Sequence, residues 1–315
     1  MADALVLEGI TKRYGQFTAV DDFSLRLPAG EVLGFLGPNG AGKTTTLRMV
    51  MSIIHPDAGR ITVLGHPHAA EVKDRVGYLP EERGLYRKMT VLETLRYFGR
   101  LKGLHGRRLA QRIITGLERV GLQDWRRKKV ETLSKGMQQK LQFVSAVLHQ
   151  PELLILDEPF SGLDPLNIDL LQRLLAELRQ TGTTIIFSTH QMNLAERMCD
   201  RIVLINRGRK VIDGRLNDVR ARFASRIVLL DGEGPFDALA RYSGVVSARL
   251  TAGHARLELA DGADPNALLR AAVQTSRIAR FEVQRPDLEE IFLKLVGGDG
   301  APQGAAAPAA EPPRG

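Results

Sequence analysis

Residues 31–45 read EVLGFLGPNGAGKTT, and this stretch decides the fold. An apolar, strand-forming run ends at Leu36, and a helical pattern begins at Thr44. The turn between them matches G-x-x-x-x-G-K-[ST], in which glycines let successive backbone N–H groups face a phosphate and the helix N-terminus adds its positive dipole end. Lys43 is predicted to neutralise the β- and γ-phosphates, and the Thr44 hydroxyl to bind Mg²⁺. The predicted phosphate-binding residues are Gly37, Pro38, Asn39, Gly40, Ala41, Gly42, Lys43, Thr44 and Thr45.

A second motif, Leu153 to Pro159, ends an apolar strand with two carboxylates. Buried charge is costly unless it has a partner or a task. Asp157 is predicted to hold Mg²⁺ through its water shell, and Glu158 to polarise an attacking water as general base. The alternative is that both carboxylates cap the strand in solvent.

The wider pattern indicates an α/β fold followed by a smaller domain. Over the first two hundred residues, unbroken apolar strands alternate with helical stretches, which predicts a largely parallel sheet covered on both faces. From Thr90 to about Val120 the period is helical, with one group of apolar positions up to Phe98 and a second from Leu109. After Arg222, short strands and two helices predict a small α+β domain. The predicted units are a nucleotide-binding domain at 1–222 with a helical subdomain at about 83–150, an accessory α+β domain at 223–296, and a disordered tail at 297–315.

The composition excludes several classes of protein. Hydrophobic residues make up 43% and charged residues 25% of the 315 positions, which excludes wholesale disorder. No apolar run approaches the roughly 18 to 20 residues of a membrane span, and no N-terminal stretch suits secretion. The single cysteine, Cys199, excludes an internal disulfide and is typical of a reducing cytosol. These features predict a soluble intracellular protein.

The net charge of +8 is concentrated in one segment. Residues 83–130 contain fourteen Lys or Arg and three Asp or Glu. Such a surplus suits nucleic acid, anionic lipid, an acidic partner or a solvated helix face. Few aromatic residues are interleaved with these charges, so the segment lacks a pattern suited to stacking bases, and no nucleic acid is expected.

Further motifs occur in a fixed order around the first two. They are Tyr14, Gly77–Pro80, Leu133–Gln139, Ser161–Asp164 and His190. Over residues 5–214 this ordered set resembles the ATP-binding subunits of ABC transporters. In that family's terms Leu133–Gln139 is the signature motif, Ser161–Asp164 is the D-loop, and His190 is the switch histidine. Tyr14 takes the position that stacks on adenine, and residues 80–82 take that of the Q-loop.

The resemblance implies a mechanism with two copies of such a domain. They would close head to tail around two ATP molecules, so that Ser134 and Gly136 cover a γ-phosphate bound by the other copy. A Ser hydroxyl and a Gly N–H at a helix start suit an anion. Asp164 is implied to contact nucleotide through the D-loop, while His190 contacts the γ-phosphate and holds the water with Glu158. The implied partners are a multispan transmembrane permease and a second ATP-binding subunit, identical or related.

Two positions depart from the commonest family pattern. Glu81 and Glu82 follow Pro80 where the Q-loop usually offers Gln. A carboxylate is also a hard oxygen ligand, so Glu81 is expected to reach Mg²⁺ and the nucleotide. Lys135 and Met137 stand in the signature where Gly and Gln are commonest. These variants resemble those of bacterial exporter subunits, and the sequence pattern is most similar to that of Nat-type sodium and drug export ATPases.

The C-terminal region carries a second resemblance. Residues 285–292 are similar to the stretch that closes many exporter ATPases. Their spacing places Leu288, Ile291, Phe292 and Leu295 on one helix face, which predicts ordinary core packing, with a regulatory or dimer contact as the alternative.

The sequence therefore predicts an ATPase that powers a membrane exporter of sodium, a drug or another small solute. Its expected place is the cytoplasm, peripheral on the inner face of the cell membrane. One rival is a soluble ABC ATPase acting on nucleic acid or the ribosome, although such proteins typically carry two ATPase copies or a long coiled coil. A second rival is a non-hydrolysing ATP sensor, against which the intact Lys43, Asp157, Glu158 and His190 argue.

Overall fold

A computed structural model describes residues 2–82, 84–223, 227–260, 262–284 and 287–297. Its strands are β1 Asp3–Tyr14, β2 Phe17–Pro28, β3 Val32–Leu36, β4 Ala58–Val63, β5 Val76–Leu79, β6 Leu153–Asp157, β7 Thr184–Thr189, β8 Arg201–Asn206, β9 Arg209–Arg215, β10 Ile227–Glu233, β11 Val245–Thr251, β12 His254–Leu259 and β13 Arg277–Val283. Its helices are α1 Lys43–Val50, α2 Val91–Leu101, α3 Gly106–Arg119, α4 Lys135–Val147, α5 Pro165–Gln180, α6 Met192–Met198, α7 Leu216–Arg222, α8 Asp237–Ala240, α9 Pro265–Thr275 and α10 Leu288–Gly297.

A six-stranded sheet in the order β5-β6-β7-β3-β8-β9 forms the centre of the molecule. Every neighbouring pair in it is parallel except β8 and β9. All residues of β3, β6 and β7 are buried, as apolar strands covered on both faces must be. This confirms the predicted α/β fold. Because β6, β7 and β3 are neighbours, the loops at their carboxyl ends meet at one edge of the sheet.

A second, antiparallel sheet has the order β2-β1-β4. It encloses α1 against one face of the central sheet, and Phe23, Leu47 and Ile155 share the resulting core. Residues 29–31 carry the chain from β2 in this sheet to β3 in the other.

The basic segment folds mainly into helices on the opposite face of the central sheet. Thr90 caps α2 in a capping box with Glu93, which fixes where the helix begins. Two helices, α2 and α3, occupy the stretch from Thr90 to Val120 where the sequence predicted a helical period. The chain turns between them at Gly103, whose φ of 76° suits glycine and ends a helix. The apolar faces of α2, α3 and α4 join one core with the central sheet.

The C-terminal region forms an antiparallel sheet in the order β11-β12-β10-β13, with a core of its own shared with α8 and α9. Helix α10 packs elsewhere, because Leu288 and Ile291 are buried in the core that contains α6. The Leu288 N–H donates to Glu196 Oε1 of α6 at 2.7 Å, and Arg220 forms an ion pair with the same oxygen at 2.8 Å. The predicted tail lies outside the described residues except for Gly297.

Among the helices of the described residues, none combines the length and apolarity required to cross a membrane.

Replacing Leu288 tests whether α10 stabilises the ATP-binding region. Truncating a fully buried leucine removes apolar contacts and leaves a cavity, so Leu288→Ala is expected to lower the free energy of unfolding by about 2–4 kcal/mol. Leu293→Ala on the same helix is the matched control, because Leu293 is 61% exposed and its truncation should cost less than about 0.5 kcal/mol. Denaturant unfolding of the full chain provides both values. Equal losses in the two variants would contradict the packing described.

Candidate functional site

The phosphate loop joins β3 to α1, and close approach of other backbone requires its glycines. Gly37 and Gly42 have φ values of 154° and 107°. A Cβ on Gly37 would lie 2.2 Å from the Ile205 carbonyl oxygen, and one on Gly42 would lie 2.5 Å from that of Ala19. A side chain at either position would therefore displace backbone, so the loop keeps its shape only with glycine.

Lys43 occupies the centre of the site and is almost fully buried. Its Nζ donates to the carbonyl oxygens of Gly37 at 2.7 Å and Pro38 at 3.1 Å. The same nitrogen lies 3.6 Å from Glu158 Oε1. A buried cation needs such partners, and here the loop's own carbonyls and a carboxylate supply them.

Asp157 ends β6 and is completely buried. The hydroxyls of Ser188 and Thr44 donate to its Oδ1 at 2.5 Å and 3.3 Å. Its Oδ2 has no hydrogen-bond partner among the described residues. Burial raises the pKa of Asp157, and the bonds from Ser188 and Thr44 oppose that rise only in part. The Oδ2 atom of Asp157 is therefore a candidate ligand for a cation.

Glu158 follows in a strained backbone conformation, with φ of 47° at a non-glycine residue. Its N–H donates to Ser188 Oγ at 3.0 Å, which holds the turn. His190 Nδ1 lies 3.1 Å from Glu158 Oε1. The carboxylate thus lies between the nitrogens of Lys43 and His190, at the mouth of the phosphate loop.

Ser188 is a site residue that the sequence analysis missed. Its hydroxyl donates to Asp157 and accepts from the Glu158 backbone, so one side chain fixes both acidic residues. The signal was present, since a serine ends the otherwise apolar run Ile185–Phe187. A polar residue buried at the carboxyl end of a parallel strand is typical of a functional edge.

The signature and D-loop residues lie together at the starts of α4 and α5. Ser134 caps α4 and accepts from the Met137 N–H at 3.3 Å. Asp164 caps α5 and accepts hydrogen bonds from the backbone N–H of Asn167 at 2.9 Å and from its side-chain Nδ2. Both bonds lower the pKa of Asp164. A Cβ on Gly136 would lie 3.1 Å from Asn167 Nδ2, so the starts of α4 and α5 are in close contact.

Two predicted site residues lie at the surface. Tyr14 ends β1 with half of its side chain exposed, and Lys12 Nζ lies 5.7 Å from its ring centre. Glu81 is exposed just after β5 and makes no hydrogen bond to Thr44 or Asp157 within the described chain. The structure therefore brings together Lys43, Thr44, Asp157, Glu158 and His190, and leaves Tyr14 and Glu81 outside that cluster.

Comparison with known proteins gives matches over most of the chain. The sequence pattern of the family described as ABC transporter matches residues 20–161, and that of the C-terminal domain of DrrA1-3-like ATP-binding proteins matches residues 214–296. YhaQ of Bacillus subtilis, an uncharacterized ABC transporter ATP-binding protein, is 40% identical over 93% of this chain and 98% of its own length. Nod factor export ATP-binding protein I of Sinorhizobium fredii is 36% identical over 93% of this chain and 86% of its own.

A solved structure is also similar. It is described as the ATP binding subunit of an ABC transporter and has a TM-score of 0.66 at 33% identity. The match covers 70% of this chain and 93% of that one. The 70% of this chain that is similar in fold is about as long as the predicted nucleotide-binding domain, residues 1–222.

The charge on Asp157 should lower the stability of the ligand-free protein. Because its pKa is raised in the folded state, the ionised carboxylate destabilises the fold above the ordinary pKa of Asp, near 4. Asp157→Asn is expected to raise the melting temperature at pH 7, by roughly 2–4 °C for each kcal/mol regained. At a pH below 4 the gain should vanish, because Asp157 of the natural chain is then protonated and carries no charge, like the amide of the variant. Differential scanning calorimetry at the two pH values measures this.

The control for that experiment is Asp124→Asn, which neutralises an exposed aspartate. It should leave the melting temperature nearly unchanged at both pH values. A loss of stability in Asp157→Asn at pH 7 would contradict the electrostatic account.

Proposed function

The chain belongs to the ATP-binding subunits of ABC transporters, and we propose that it powers an exporter of sodium, a drug or another small solute from the cytosolic face of a membrane. Membership of this family confirms the resemblance drawn from the motifs and makes the chain an ATPase. The observation that carries the proposal is one cluster, in which nitrogens of Lys43 and His190 meet the same oxygen of Glu158. Export is supported by the relative named for Nod factor export.

Glu158 is the proposed general base. Its Oε1 is held by His190 at 3.1 Å and faces Lys43 at 3.6 Å, which leaves Oε2 to take a proton from the attacking water. Before this step, when ATP binds, Lys43 exchanges the carbonyls of Gly37 and Pro38 for the phosphates of ATP and neutralises part of their charge. His190 keeps the base oriented and contacts the γ-phosphate. Hydrolysis yields ADP and phosphate.

The residues present fit Mg²⁺. Asp157 offers a buried carboxylate oxygen that has no partner among the described residues, and the Thr44 hydroxyl lies beside its other oxygen. Carboxylate and hydroxyl oxygens are the ligands Mg²⁺ prefers, usually with water in part of the shell. We propose that Thr44 and Asp157 hold the ion, which when bound offsets the charge on the phosphates. Glu81 is the proposed third ligand, reached by movement of the exposed Q-loop.

The proposed working unit contains two ATP-binding chains. Ser134, Gly136 and Asp164 are grouped at the starts of α4 and α5 and make no hydrogen bond to the phosphate loop of their own chain within the described residues. This grouping supports head-to-tail pairing, in which they cover nucleotide bound by the second chain. Exposed Tyr14 is then free to stack on adenine. ATP binding closes the pair, and hydrolysis reopens it.

The proposed permease contact is an aromatic patch beside the Q-loop, formed by Tyr86, Tyr97 and Phe98. The ring centres of Tyr86 and Tyr97 are 5.3 Å apart, and the two side chains are 49% and 38% exposed. Exposed aromatic clusters mark sites of protein interaction. A permease segment seated here would move with the Q-loop and so couple its helices to the nucleotide.

The proposed membrane contact is the basic run Arg126–Lys129, all of whose side chains are exposed. Arg126 and Arg127 also line a groove of about 650 Å³ between α2 and α3, together with Arg96 and Arg100. Clustered basic residues are attracted to anionic lipid headgroups. This surface is proposed to face the inner leaflet, which places the chain peripherally on the cytosolic side.

The test of the proposed function is affinity purification from detergent-solubilised membranes of the native host. Glu158→Gln removes the general base and should trap ATP and the closed state. We expect a stoichiometric multispan protein and a second ATP-binding chain in the eluate, identified by mass spectrometry. A companion variant that adds Tyr86→Ala and Tyr97→Ala should recover much less of the multispan protein. Recovery of ribosomal proteins or nucleic acid instead would overturn the exporter assignment and leave the ATPase chemistry intact.

The basic run makes a separate prediction about lipid binding. Each basic residue near an anionic surface contributes about 1 kcal/mol, so changing all four residues of Arg126–Lys129 to Gln should lower binding to phosphatidylglycerol vesicles at least about tenfold. Binding should also weaken with added salt. Sedimentation with vesicles measures both effects. The control changes four exposed arginines of the C-terminal domain to Gln, namely Arg249, Arg256, Arg277 and Arg280. Equal binding by the two variants would contradict a lipid-facing role for this run.

A further inference from the structure

The signature helix α4 carries two buried glutamines that reach out of the helix to other loops. Gln139 and Gln142 are 6% and 4% exposed. Gln139 Nε2 donates to the carbonyl oxygen of Pro159, the residue after Glu158, at 3.1 Å. Gln142 Nε2 donates to the carbonyl oxygens of Pro80 and Glu82 at 3.2 Å and 3.3 Å. One helix face thus holds the backbone beside the catalytic carboxylate and the backbone of the Q-loop.

We infer that Gln142 is a positioning residue for ATP hydrolysis, which fixes the Q-loop to the signature helix so that the two move together. The two carbonyls it holds flank Glu81, the proposed Mg²⁺ ligand. Ser134, at the start of the same helix, lies eight residues away, or about 12 Å along the helix axis. The inference rests on the proposed roles of Glu81 and Ser134, and it adds a residue that neither the motifs nor the family comparison assigns.

The chemistry of the site favours a specific role for the amide over simple packing. Gln142 Oε1 is buried and has no hydrogen-bond partner among the described residues, which costs free energy that an apolar side chain of similar size would avoid. What the amide adds is two donated N–H bonds to loop carbonyls. Those carbonyls belong to no strand or helix, so a side chain must supply their partners.

A rigid link of this kind has a mechanical consequence. The Q-loop lies next to the proposed permease contact. When the Q-loop is displaced, Gln142 transmits that displacement to α4 through its bonds to Pro80 and Glu82, which are 62 and 60 residues away in the sequence. Gln139 passes movement of the same helix to the loop after β6. Displacement of the Q-loop therefore reaches Ser134 and Glu158 together, and neither of them touches the Q-loop through any other hydrogen bond within the described chain.

The test separates nucleotide binding from turnover. Gln142→Leu keeps the volume and removes both donors. We expect kcat to fall about tenfold while the Kd for ATP stays within about twofold, because the phosphate loop does not contact Gln142 in the described structure. Steady-state phosphate release and equilibrium binding of a fluorescent ATP analogue, both well below the melting temperature, give the two values. The matched control is Gln172→Leu on α5, whose Nε2 is also buried without a partner among the described residues. It should leave kcat unchanged.

A second variant covers the case in which Gln142→Leu does not fold. In Gln142→Glu the side chain donates a hydrogen bond only when protonated, and burial beside two carbonyls raises its pKa. Its kcat relative to the natural chain should therefore be several-fold higher at pH 6 than at pH 8.

The outcomes distinguish this inference from the proposed function. If the natural chain does not hydrolyse ATP, the proposed mechanism as a whole is wrong. If the natural chain is active and the folded Gln142 variants have the same kcat, the role of Gln142 alone is overturned. The same holds if Gln172→Leu lowers kcat as much as Gln142→Leu does. A parallel loss of ATP affinity and kcat would also overturn it, since that pattern marks general distortion of the site.

Discussion

The structure depends on the burial of two adjacent carboxylates at the end of β6. Desolvation penalises both, so the surrounding side chains must compensate them. Ser188 bonds to both residues, Lys43 and His190 hold Glu158, and one oxygen of Asp157 has no partner among the described residues. Each of these neighbours offsets part of that desolvation cost. The Oδ2 atom of Asp157 lacks a hydrogen-bond partner among the described residues, which lowers the stability of the fold but leaves that oxygen available to a ligand.

The order of strands brings these groups together. With β6, β7 and β3 as neighbours, Glu158, His190 and the phosphate loop occupy one edge of the sheet. Two helices link that edge to other parts of the molecule. Helix α4 is bonded to the Q-loop through Gln142, and α6, which follows His190, carries Glu196, to which α10 of the C-terminal region is attached. Both attachments are therefore linked to this edge by packed, hydrogen-bonded contacts, along which the proposed coupling would run.

Short-range chemistry explains what the sequence predicted well. The phosphate loop, Asp157 and Glu158 lie within continuous motifs, so their spacing fixes their local geometry, and the apolar strands before them predict a parallel sheet. The helical period did not locate the turn at Gly103, which separates α2 from α3. Ser188, Gln142 and the packing of α10 on α6 escaped prediction for another reason. Each depends on contacts between segments about 30 to 90 residues apart, which no local pattern encodes.

The central claim is that the buried carboxylate pair and the phosphate loop form a hydrolytic ATP site with Glu158 as its base. The most direct measurement is the rate of phosphate release from Mg²⁺-ATP by the purified chain and by Glu158→Gln, at saturating nucleotide. The account predicts equal affinity for ATP and a rate at least about a hundredfold lower in the variant, as expected for loss of a general base. Equal rates in the two proteins would contradict it.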